Sequence, residues 1–183
     1  MKRIYKILVS VYGFTGIYAI TRYHIYGPVL WKDLPLFTLN KILIFSAIIF
    51  LVLQNIIGLT RQEKQLLQKL VLLSVASHVV LSLLVLKPYY LKNFFDGTSF
   101  TFSANISLLF GSLTAAIMLF KTPYQFATNK LIIVLWAFIT LHLVAMGWHG
   151  WIHPHTWYGG MPPITLLSFL AVLMLFIKQR ISK

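Results

Sequence analysis

Six long apolar segments, separated by short connections that hold most of the charge, limit what this chain can become. A helix that crosses a bilayer needs about 20 predominantly apolar residues. The segments fall at roughly Ile4 to Ile20, Ile42 to Leu59, Gln65 to Leu86, Phe102 to Phe120, Leu131 to Trp148 and Ile164 to Ile177. Pro88, Pro123, Pro154, Pro162 and Pro163 lie in or beside the connections, where a missing amide donor is tolerated. Only 10% of the 183 residues are charged, against about 25% in a soluble domain. The expectation is an all-α integral membrane bundle of six transmembrane helices. It forms a single domain over residues 1–183, with no internal repeat and no room for a soluble domain.

The net charge of +13 is not that of a nucleic-acid-binding protein, because the basic residues stand between apolar runs rather than in a polar patch. The partner they imply is the lipid bilayer. With the N-terminus inside, the inner connections hold Lys2, Arg3, Lys6, Arg61, Lys64, Lys69, Lys121, Lys130, Lys178, Arg180 and Lys183. The outer ones hold Arg22, Lys32, Lys41, Lys87 and Lys92. Eleven against five places both termini in the cytoplasm and the chain in the cell's inner (plasma) membrane as a multi-pass protein. Met1-Lys2-Arg3 resembles the start of a signal peptide, but no Ala-x-Ala site follows, so the segment is expected to be retained. Tyr89, Tyr90, Trp148, Trp151, Trp157 and Tyr158 fit an aromatic belt at the outer interface. There are no cysteines, which excludes disulfides and thiolate chemistry.

Two histidines, His78 and His142, lie deep in the third and fifth runs, where an ionisable side chain is costly. Each is nine residues from an outer boundary (Lys87 and Trp151), about 13 Å along a helix. At matching depth on two parallel helices, they could be the axial ligands of one heme b, since heme iron accepts imidazole. Ser74, His78 and Ser82 recur every four residues and share a face narrow enough for a flat macrocycle. On the fifth helix Phe138, His142 and Ala145 form a comparable face, with His149 two turns further on. Gly111, Ser112 and Ala115 give the fourth helix a close-packing surface. The competing reading is that each histidine only hydrogen-bonds to another helix.

His149, His153 and His155 cluster after the fifth run, and three imidazoles could hold zinc or copper, although Pro154 interrupts any helical face. His149 could instead replace His142 as a heme ligand or bind a propionate. His24 is expected to be solvated. Arg22 and Lys87 are placed to neutralise propionates, or to snorkel into headgroups. Gln54 and Asn55 are expected in interhelical hydrogen bonds; a quinone site there, or a flavin, has no specific residue in its favour. Glu63, Asp33 and Asp96, the three acidic residues, lie in connections, which argues against a carboxylate proton relay.

With six helices and histidines in the third and fifth, the chain resembles the ferric-reductase-like transmembrane family. That family includes the heme-binding membrane subunit of the bacterial methionine-sulfoxide reductase system. Arg61-Gln62-Glu63-Lys64 is similar to the basic start of the family's third helix. Two-heme members carry a second histidine pair about four turns away; here those positions are Lys64, Gln65, Thr128 and Asn129. The resemblance therefore implies one bis-histidine heme in the outer half, a protein redox partner, and any flavin or nicotinamide chemistry on a separate protein. It describes a membrane b-type cytochrome, the electron-transfer subunit of an oxidoreductase rather than an enzyme by itself. The alternatives are a cofactor-free structural or transport subunit, and a metal-handling membrane protein that uses the outer histidines.

Overall fold

A computed structural model describes residues 2–120 and 129–181. The expectations placed on Lys121, Pro123, Thr128 and Lys183 lie outside the described residues. Six helices are long and apolar enough to cross a membrane. They are α1 (Lys2–Ile20), α2 (Leu39–Ile56), α3 (Arg61–Val85), α4 (Phe102–Phe120), α5 (Asn129–Trp151) and α6 (Ile164–Ile181). A short antiparallel hairpin, β1 (Phe95–Asp96) with β2 (Ser99–Phe100), stands between α3 and α4. Gly97 takes φ +60 at its tip, a conformation glycine adopts without steric cost.

Hydropathy locates each helix, while polar chemistry moves its ends. α3 starts four residues earlier than its apolar run because Thr60 and Glu63 form a reciprocal capping box. Thr60 accepts from the Glu63 amide, and the Glu63 carboxylate accepts from the Thr60 amide at 2.9 Å. α2 is preceded by helical turns at Trp31–Asp33 and Leu34–Thr38. Those turns carry Lys41 from the boundary into the helix. α5 continues to Trp151 and takes in His149, since no helix breaker intervenes before Pro154.

Consecutive helices pack on one another from α2 to α6, and α6 returns to α2, closing a ring of five helices. α1 packs on α2, fixed by Thr15, whose hydroxyl meets that of Ser46 at 2.7 Å. Arg3 donates to Gly58 O and Lys178 to Asn55 O, so the start of α1, the α2–α3 turn and the end of α6 lie at one end of the bundle. At the other end Tyr18 donates to Pro162 O, and Tyr89 and Tyr90 both donate to Asp33. The helices thus alternate in direction. Phe50, Leu67, Val71 and Leu175 are almost fully buried in the half that holds the N-terminus, with Met118 and Trp136 beside them. The outer surface is apolar instead of charged: Val9, Ile17, Leu73, Val80, Leu83, Phe102 and Phe120 are all strongly exposed.

Candidate histidine site

His78 and His142 come from α3 and α5, which stand on either side of α4 in the ring. Both are half-buried. His78 lies seven residues before the end of α3 and His142 nine before the end of α5. Counted from those ends, the two positions differ by two residues, about 3 Å of helix rise. Both remain in the half opposite the N-terminus.

Each ring is held at Nδ1 by an oxygen on a neighbouring helix. His78 Nδ1 donates to Asn40 Oδ1 of α2 at 2.5 Å. Asn40 is itself buried, and its amide nitrogen donates to Ser82 Oγ at 3.1 Å. His142 Nδ1 donates to the carbonyl of Ser107 on α4 at 2.8 Å, with the Ser107 hydroxyl 3.1 Å away. A carbonyl oxygen can only accept, so in both rings the proton resides on Nδ1 and Nε2 carries the lone pair. For His78 the nearest partner of Nε2 is Ser82 Oγ at 3.5 Å, too long for a firm hydrogen bond. No hydrogen bond involves His142 Nε2 among the described residues.

The seat of His142 depends on a missing side chain. A Cβ on Gly111 would come within 2.8 Å of His142 Nδ1 and 3.0 Å of Cε1, so the ring lies directly over the α4 backbone at this glycine. Gly111 thus has a specific use within the small-residue surface of α4.

The other singled-out residues are distributed as follows. Ser82 joins the Asn40–His78 cluster, whereas Ser74 is buried against α1 and shares a 3.2 Å hydrogen bond with Tyr12. The serine stripe therefore carries polar ties from α3 to α1 and α2. Arg22 is buried under the α5–α6 connection, donating to Met161 O, with its guanidinium 5.6 Å from the Tyr23 ring and 5.3 Å from the Tyr158 ring. It neither snorkels nor lies in an open loop. Lys87 is exposed.

His24, expected to be solvated, is buried instead. Its Nδ1 donates to Val29 O at 3.0 Å, its Nε2 accepts from Thr38 at 2.6 Å, and its ring stacks on Trp31 at 4.7 Å. It closes the α1–α2 connection on itself. His149 is exposed, with its ring 4.8 Å from that of His153, which is 5.6 Å from His155. Despite that proximity, no group of three or more His or acidic side chains among the described residues could hold a metal ion. Gln54 Nε2 is buried without a partner, and Asn55 Nδ2 donates to Leu51 O of its own helix, so neither makes the expected interhelical side-chain bond.

Asn40 and Ser107 hold the two rings and are not among the residues that the sequence singles out. The available signal was weak. Asn40 and Lys41 stand at the polar edge of an apolar run, and Ser107 lies in Asn105-Ile106-Ser107, unremarkable in a transmembrane helix. No family model, curated protein or solved structure matches the chain. Its functional reading therefore rests on its own residues.

Proposed function

We propose that the chain is a multi-pass membrane b-type cytochrome of the inner (plasma) membrane, with both termini cytoplasmic. It holds one bis-histidine heme in the outer half and passes electrons to or from a protein partner. The observation that carries this reading is the shared tautomer of His78 and His142. A histidine that ligates a metal commonly donates its other ring N–H to a carbonyl or carboxylate, which fixes the ring and raises its basicity. Asn40 Oδ1 and the Ser107 carbonyl supply that acceptor for each ring, leaving two Nε2 lone pairs in the same half of the bundle.

The residues present fit such a group: two neutral imidazoles in an apolar surround, one of them seated on the α4 backbone at Gly111. Bound there, heme would supply one-electron chemistry, with His78 and His142 as the residues that would ligate it. His78 and His142 would hold it, Asn40 and Ser107 orient the two rings, and the packed side chains would exclude water. The filled inner half, with Phe50, Leu67, Val71 and Trp136 buried, supports a single centre over a two-heme ladder.

The rival reading is a cofactor-free membrane subunit in which the same Nδ1 bonds merely tie α3 to α2 and α5 to α4. The specific observation in its favour is that each ring already has a protein partner. An absorption spectrum separates the two. Protein purified from cells supplied with heme should show a Soret band and sharp reduced-state bands; a folded, colourless protein would leave the rival.

A further inference from the structure

The outer half of the bundle contains a cation whose counter-charge the chain does not provide. Lys41 is half-buried near the start of α2, next to Asn40, the residue that holds His78. Its ammonium lies 5.2 Å from the centre of the Phe37 ring. The ammonium thus stands at the same end of α2 as the residue that holds His78.

The chain has three acidic side chains, and each is placed elsewhere. Asp33 accepts from Tyr89 and Tyr90, Glu63 caps α3 at the opposite end, and Asp96 is exposed on the hairpin. An ammonium removed from water is costly unless an anion accompanies it. The π face of Phe37 compensates only in part. Two other outer cations are differently employed: Arg22 is held beneath Met161 between Tyr23 and Tyr158, and Lys87 is exposed.

We infer that Lys41 is the counter-cation for a carboxylate carried by the molecule that His78 and His142 hold. This rests on the cytochrome reading, in which that carboxylate is a heme propionate. The pairing moves this role from Arg22 and Lys87 to a residue inside α2. It also makes the site selective for a porphyrin that retains its acid groups, because an esterified one leaves the ammonium unpaired.

The test compares hemin with hemin dimethyl ester, titrated into full-length apoprotein purified from heme-starved cells and followed by the Soret band. Wild type should bind hemin at least tenfold more tightly than the ester. Lys41→Met should lose this preference by weakening hemin alone, while Lys41→Arg keeps it. Equal binding of the two porphyrins by wild type overturns the inference without any variant, as does a Lys41→Met protein that weakens both alike. A wild-type protein that forms no Soret band with either porphyrin overturns the cytochrome reading and the pairing with it. A Soret band with no carboxylate preference overturns the pairing alone.

Discussion

Gly111 and Gly13 both lie inside transmembrane-length helices, yet an added methyl group should act on them in opposite directions. At Gly111 the methyl would meet the His142 ring at 2.8 Å, and neither the ring nor the α4 backbone can yield freely. Overpacking of this kind costs about 1–3 kcal/mol. At Gly13 nothing lies within 4 Å of the position the methyl would take. There the helix propensity of alanine should stabilise by up to about 1 kcal/mol. Thermal unfolding in detergent should thus show Gly111→Ala melting below wild type and Gly13→Ala at or above it; equal shifts would mean that His142 is not seated on Gly111. The two histidines were legible in the sequence because an imidazole in an apolar run is conspicuous. Their holders were not. Asn40 sits where polar residues are ordinary, and Ser107 acts largely through its backbone carbonyl, which no side-chain pattern reveals. Lys41 was read as a boundary charge because its position depends on where α2 begins.

That beginning is decided at the scale of elements. Apolar runs marked all six helices, and for α4 they marked both ends as well. Elsewhere the boundaries follow polar contacts: the Thr60–Glu63 box extends α3, and the turns around Asp33 extend α2 outward. Asp33 is the residue that joins two connections at the end opposite the N-terminus, since Tyr89 and Tyr90 bind it at 3.2 and 2.8 Å. The Asp33 hydrogen bond, with some desolvation, raises the Tyr90 phenol above the ordinary tyrosine range; desolvation first and then the same carboxylate raise Tyr89. A raised phenol stabilises the fold while protonated, so this contribution is intact at neutral pH. It is lost as the pH climbs past the usual tyrosine value, near 10, toward the raised one. Ultraviolet titration should show a late-ionising phenol that disappears in Tyr90→Phe, and the stability gap between the two proteins should close at high pH. A gap that widens with pH would reverse the assigned sign.

At the scale of the molecule, helix count and alternation followed from hydropathy, but the ring did not. Which helices become neighbours depends on side-chain fit between segments of nearly uniform hydrophobicity. Nothing in the spacing of Leu, Ile and Val told that α6 would return to α2 or that α4 would stand between α3 and α5. The arrangement matters because each histidine is fastened to a helix next to its own, His78 to α2 and His142 to α4, with Nε2 left for another use. Whether that use is shared iron is the central claim, and low-temperature electron paramagnetic resonance of the oxidised, heme-loaded protein addresses it most directly. The expected result is a low-spin ferric signal from two imidazole ligands. It should give way to a high-spin signal in His78→Ala and in His142→Ala, and persist in His149→Ala. A low-spin signal that survives replacement of either His78 or His142 would contradict the account.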